Sequence, residues 1–166
     1  MTHCCCLMIG NSRLHWAWFV GDKLLHSWDC DRFPSSLFSE QLPREVLPPS
    51  LSSENLQNIP LYIASVVPEQ TVVWQKYSPH RIITLEDIPL QGMYPGLGID
   101  RALAVWGAGN KCHFPCLVVD GGTALTFTGV SYDRTLVGGA ILPGLGLQLQ
   151  SLARHTAALP QVALGL

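Results

Sequence analysis

Asp120-Gly121-Gly122-Thr123 follows the apolar run Leu117-Val118-Val119. A strand that runs into a glycine turn ending in a hydroxyl presents backbone N–H groups to an anion, and glycine lets that anion come close. Asp120 could hold a cation beside it, directly or through water. The same four residues are also ordinary hairpin chemistry, and alone they favour a plain turn. Gly98-Ile99-Asp100-Arg101 is the second candidate. A carboxylate at a helix start caps free amides. Beside an arginine it can equally be a base while the guanidinium grips an anionic substrate, with Tyr94 in the preceding loop adding a hydrogen bond. Gly138-Gly139-Ala140-Ile141-Leu142-Pro143-Gly144 joins a strand to a helix. Its glycines bring backbone against a ligand or let strand and helix pack closely.

Other reactive residues fall into no pattern. Cys4, Cys5 and Cys6 alternate sides of a strand, so they form no chelating face. Cys112 and Cys116 lack a second ligand pair at zinc spacing. The six cysteines read as small hydrophobes in a reducing compartment. His15, His26, His80 and His155 have no paired spacing and read as packing or surface residues. Trp16 and Trp18 share one strand face and read as core.

The elements that must position these residues follow from periodicity and breakers. Residues 4–9, 14–20 and 23–28 predict three strands joined by the turns Gly10-Asn11-Ser12 and Gly21-Asp22, an antiparallel meander. Residues 29–60 are rich in Ser and Pro, with a short helix expected over 36–41. Leu61–Val67 predicts a buried strand, 69–77 a helix, 81–85 a strand, and 87–97 a loop. Asp100–Ala108 predicts a helix stopped by Gly109-Asn110. Strands are expected over 116–119, 125–130 and 135–140. Pro143 opens a last helix whose Leu145, Leu149 and Leu152 predict one buried stripe. The expected core is Leu7, Ile9, Trp16, Ile63, Val66, Leu103, Val118, Val119, Leu149 and Leu152. Placing Gly10 on Gly122, an offset of 112 residues, aligns two copies of apolar strand, glycine turn and strand; Met8 then falls on Asp120 and Asn11 on Thr123.

Composition bounds the function. The 166 residues are 48% hydrophobic and 13% charged, enough to bury a core. Ten Lys+Arg against twelve Asp+Glu give a net charge of −2, which excludes broad electrostatic binding to nucleic acid or an anionic membrane. The uncharged run Thr135–Ala153 is interrupted by Gly, Pro, Gln and Ser, so it does not read as a membrane span. The N-terminus carries no basic n-region, and the expected compartment is the cytosol.

Taken in order, these segments resemble the type III pantothenate kinases. Ile9-Gly10-Asn11-Ser12-Arg13 is similar to that family's first phosphate motif, and Ala64-Ser65-Val66-Val67-Pro68 to its Ser-Val-x-Pro strand end. Tyr94-Pro95 with Gly98-Ile99-Asp100-Arg101 is similar to its pantothenate motif, and Asp120-Gly121-Gly122-Thr123-Ala124 to its second phosphate motif. Gly138–Gly144, Leu152 and Thr156–Pro160 continue the match. The resemblance implies a duplicated actin-like α/β fold of the sugar-kinase type. It implies a first lobe over residues 1–112 and the start of an incomplete second lobe over 113–166. It implies transfer of the ATP γ-phosphoryl group to the primary hydroxyl of pantothenate, with Mg2+, a monovalent cation (K+ or NH4+) and a homodimer. By position, Asp100 is then the general base, and Tyr94, Gly98, Ile99 and Arg101 line the pantothenate site. Met8, Ile9, Gly10, Asn11, Ser12, Arg13, Leu14, His15 and Thr123 line the ATP site, and Asp120 holds the monovalent cation. Three departures stand out. Met8 occupies a position where the family usually has Asp, His15 one where it often has Lys, and the family's chains run well past residue 166. These make a non-catalytic binding or regulatory relative the alternative reading, and imply weak or no activity for the 166 residues alone. Asp22 and Asp133 are candidates for a compensating carboxylate.

Overall fold

Three strands open the chain: β1 (His3–Ile9), β2 (Arg13–Val20) and β3 (Lys23–Asp31), paired antiparallel in sequence order. The computed structural model describes residues 2–32, 34, 42–48, 51 and 58–163; the helix expected over 36–41 lies outside them. Period-two alternation fixes which face is buried. Leu7 and Ile9 of β1 and Leu14, Trp16 and Trp18 of β2 are at most 2% exposed. The opposite face carries Met8, Arg13 and His15. The two-residue turn Gly21-Asp22 pairs Val20 with Lys23. A bulge between Trp18 and Phe19 then shifts the register by one, so Trp16 faces Trp28 and His15 faces Asp29. Trp28 thereby stacks on Trp16 with centroids 5.8 Å apart, and its Nε1–H donates to the Val46 carbonyl at 2.6 Å.

β4 (Leu61–Ser65) pairs parallel to β1, and β5 (His80–Ile82) parallel to β4, giving the order β3-β2-β1-β4-β5. A parallel pair needs a crossover, and α1 (Pro68–Trp74) lies between β4 and β5. Pro68 suits the first turn of a helix because its missing N–H would be unpaired there anyway. Trp74 of this helix is fully buried, edge-on to Trp16 at 5.1 Å. Cys5 is also fully buried in this core, and burial pushes its thiol up to about 12. That is the chemistry of a small hydrophobe.

The second stretch contains α2 (Ile99–Cys112), β6 (Cys116–Gly121), β7 (Ala124–Val130), β8 (Leu136–Pro143) and α3 (Leu145–His155). Its strands form a second antiparallel meander, β6-β7-β8. Subtracting 112 from their bounds gives 4–9, 12–18 and 24–31, which overlie β1, β2 and β3. The repeat read from the sequence is therefore a structural one. No helix among the described residues is long and apolar enough to cross a membrane.

Compactness divides the chain after Asp87, into units 1–87 and 88–166. The sequence reading divides it after residue 112, where the repeat restarts. The two divisions differ because α2 packs on β6 and β7.

Two expectations are corrected in the second unit. α2 does not stop at Gly109-Asn110 but runs on to Cys112, with His113 in the left-handed region at φ 74°. Gly109 is a packing residue: a Cβ there would lie 2.1 Å from the Phe114 ring. That ring packs on Trp106 at 5.9 Å, and the Arg134 guanidinium lies over both. Gly→Ala inside a helix normally stabilises by about 1 kcal/mol. Gly109→Ala is expected to reverse that sign and cost about 1–3 kcal/mol by overpacking, read as a lower urea midpoint at unchanged m. The second correction is to the core. Val119 is 54%, Leu145 57% and Leu152 48% exposed, so α3 buries no stripe. Of the three stripe residues, only Leu149 is half-buried. Leu7, Ile9, Trp16 and Ile63 are buried as expected.

Candidate active site

In the second unit the loop 94–98 delivers the chain into α2. Gly98 is the residue before the helix, at φ −62° and ψ 132°, and no side chain caps it. Asp100, in the first turn, accepts the Arg101 backbone N–H through Oδ1 at 2.8 Å. The carboxylate is folded back over Gly98, where a Cβ would lie 2.3 Å from Oδ1. Any side chain at position 98 would therefore displace the carboxylate. Asp100 sits half-buried beside the amides of the helix start.

Arg101 points the other way, into the unit. It is only 7% exposed. Its Nε–H donates to Thr128 Oγ1 at 3.0 Å, Nη2 to the Phe127 carbonyl at 2.7 Å, and Nη1 to Tyr94 Oη at 3.3 Å. A planar guanidinium satisfies three such partners at fixed angles, which an ammonium does not. Space for it comes from Gly139, opposite Thr128 on β8, where a Cβ would meet Nη2 at 2.3 Å and the Phe127 carbonyl at 2.1 Å. Of the two roles open to the 138–144 glycines, close packing is the one Gly139 performs. Arg101 thus ties Tyr94, itself 45% exposed, to β7.

The Asp120–Thr123 segment is the end of β6 and the turn into β7, closed by Gly122 N–H donating to the Ala124 carbonyl at 2.9 Å. Gly144 abuts this turn. Its N–H donates to the Thr123 carbonyl at 2.9 Å, and a Cβ on it would fall 2.0 Å from the Gly122 carbonyl. The start of α3 therefore lies against the glycine turn, and a helix start beside such a turn is a favourable place for an anion. Asp120 is exposed at the strand end. The side chains of Asp120 and Thr123 offer oxygen atoms only, the kind of donor hard cations take. Among the described residues, no three His, Cys, Asp or Glu side chains gather to hold a metal.

A model of the type III pantothenate kinase family matches residues 6–166. The chain belongs to the type III pantothenate kinase family. It is 51% identical to a type III pantothenate kinase of a Nostoc species over 94% of this chain and 61% of the relative. It is 56% identical to one of a Synechocystis species over 94% of this chain and 55% of the relative. The chain thus spans little more than half the length of these curated relatives. A solved structure described as a 2-dehydro-3-deoxygalactonokinase protein of Sinorhizobium meliloti aligns over 92% of this chain and 57% of its own, with TM-score 0.53 at 18% identity. That likeness shows the sugar-kinase fold, in agreement with the duplicated α/β architecture read from the sequence.

The segment Ile9–Arg13, read from the sequence as a first phosphate motif, lies in the first unit, at the end of β1 and the start of β2. Gly10 N–H donates to the Arg13 carbonyl at 3.0 Å, closing the turn over Asn11 and Ser12, both exposed. Arg32 Nη2 reaches the Asn11 carbonyl. Ile9 and Leu14 are fully buried, so they offer a ligand backbone groups only, and the Ile9 carbonyl already accepts Val66 N–H. Met8 lies between His15 on β2 and Ala64 on β4.

Neither carboxylate considered as compensation for Met8 has the right surroundings. Asp22 sits in the β2–β3 turn, at the opposite end of the meander from residues 10–12. Asp133 is committed to its own turn, where the Ser131 and Thr135 hydroxyls donate to it and hold its carboxyl below the ordinary range. The carboxylate missed by the sequence reading is Asp29, which meets His15 Nδ1 at 2.8 Å. Thr128, which accepts from Arg101, is likewise outside the residues singled out from the sequence. Gly139 is among the 138–144 glycines read there, and its packing against Arg101 is visible only once β7 and β8 are paired.

Proposed function

We propose that the protein to which this chain belongs transfers the γ-phosphoryl group of ATP to the primary hydroxyl of pantothenate, forming 4'-phosphopantothenate for coenzyme A synthesis. The observation that carries this reading is the junction of loop 94–98 with α2. There a carboxylate, an anchored arginine and a tyrosine hydroxyl occupy one loop–helix boundary. Asp100 takes the proton from the attacking hydroxyl. Tyr94, held by Arg101, orients pantothenate together with Gly98 and Ile99.

Thr123 and the turn 10–12, with Met8, Ile9, Arg13, Leu14 and His15, bind the ATP phosphates. Asp120 holds K+ or NH4+, and Mg2+ enters with ATP. Phosphoryl transfer then needs positioning and charge neutralisation, which backbone amides, Arg13 and the α3 start can supply. The working form is a homodimer in the cytosol.

The test is pantothenate phosphorylation by the full-length protein of this gene, with ATP, Mg2+ and K+, against the 166 residues alone. Turnover that requires pantothenate supports the reading. A folded full-length protein that binds ATP and never turns over replaces it with a binding or regulatory relative.

A further inference from the structure

The outer face of the first sheet carries an arrangement that the motifs do not account for. Met8, His15 and Asp29 lie side by side across β1, β2 and β3. His15 Nδ1 lies 2.8 Å from Asp29 Oδ1. The other ring nitrogen, Nε2, lies against the Gly10 turn, 3.3 Å from where a Cβ on Gly10 would be. The imidazole therefore lies between Asp29 and the turn. Both side chains are 51% exposed, so the pair adds little to fold stability. Its effect is to fix one ring orientation, with Nε2 toward residues 10–12.

We propose that Asp29 is a positioning residue for ATP: it holds the His15 imidazole so that Nε2–H donates to a phosphate oxygen seated on the Gly10–Ser12 turn. This rests on the kinase reading of that turn. A phosphate oxygen requires a donor at Nε2. The Nδ1 contact with Asp29 leaves Nε2 as the ring atom turned to that oxygen. The same logic orients histidines at metal sites, where a carboxylate on one nitrogen aims the other. The charged neighbours on this face are Arg13, on β2, and Asp31, opposite it on β3. Arg32 reaches the turn through the Asn11 carbonyl. Cys6, beside Met8 on β1, is neutral, its thiol pushed up to about 11 by burial.

The experiment is a double-mutant cycle in the full-length protein: Asp29→Asn, His15→Gln and both together. Isothermal titration with ATP gives affinity, and steady-state assays give KM for ATP, KM for pantothenate and kcat. Asp29→Asn is expected to weaken ATP binding and raise its KM by about fivefold, with the pantothenate KM unchanged. In the His15→Gln background the same change is expected to do nothing further. Equal ATP affinity in Asp29→Asn and the parent, or the same loss with and without His15, overturns the proposal and leaves the kinase reading intact. A parent protein that binds no ATP overturns both. Thermal melts of each variant separate a folding defect from a binding one.

Discussion

Replacing Asp100 by asparagine in the full-length protein is expected to lower kcat by about 10²–10⁴-fold, the range for losing a positioned general base. That corresponds to roughly 3–5 kcal/mol in the barrier. The substitution is unusually clean here. Asn keeps an Oδ1 acceptor, so the bond from Arg101 N–H at the start of α2 survives. The side chain stays isosteric over Gly98, whose missing Cβ leaves it room. What disappears is the capacity to take a proton. Stability and ATP affinity are expected to stay at parental values, measured by urea titration and calorimetry. A variant that keeps more than about a tenth of parental kcat would remove Asp100 from the role of base. Such a result would leave it as the side chain that accepts the Arg101 backbone N–H at the helix start.

The second large effect is on Arg101. Arg101→Met keeps most of the stem volume but removes the donors to Thr128, Phe127 and Tyr94. Thr128 is 1% exposed, so its hydroxyl is left buried without that donor. Each such orphaned group costs about 1–3 kcal/mol, and a total loss of about 2–4 kcal/mol is expected. The same change frees Tyr94 and is expected to raise the KM for pantothenate by at least about tenfold. The partner substitution separates the two effects. Thr128→Val added to Arg101→Met removes the orphaned hydroxyl and is expected to recover about 1 kcal/mol of stability with no recovery in KM. A single variant as stable as the parent would show that the buried network contributes nothing. Gly139→Ala approaches the same pocket from β8 and is expected to fail for the complementary reason, since its Cβ would occupy the guanidinium's place.

Much of this was legible from local pattern. Alternating apolar residues set the buried face of β1 and β2, and Gly10-Asn11-Ser12 and Gly21-Asp22 set the turns. The offset of 112 residues predicts the second meander, because both copies obey the same local rules. The motif residues were legible for the same reason: a glycine turn, or a carboxylate at a helix start, is a feature of neighbouring residues.

Neighbours in space were not legible. An unbroken two-residue hairpin keeps the pairing of Val20 with Lys23 and so would set His15 opposite Trp28. The bulge at Leu25 moves the register by one and sets Asp29 there instead. A one-residue slip exchanges the two faces of a strand, so the His15–Asp29 pair exists only because of that bulge. The bulge is favoured because it turns Trp28 inward onto Trp16, a contact between different strands. Helix length was misjudged for a similar reason. Gly109 reads as a stop signal, and the Phe114 ring that needs its empty side lies beyond the helix end. Arg101 showed its charge in the sequence but not its burial, which depends on Thr128 and Gly139 meeting across β7 and β8. Sequence determined which candidate groups this protein has for binding phosphate and a carboxylate, since those motifs are local. Tertiary structure decided which of them touch, since register and burial are set by packing between residues far apart in the chain.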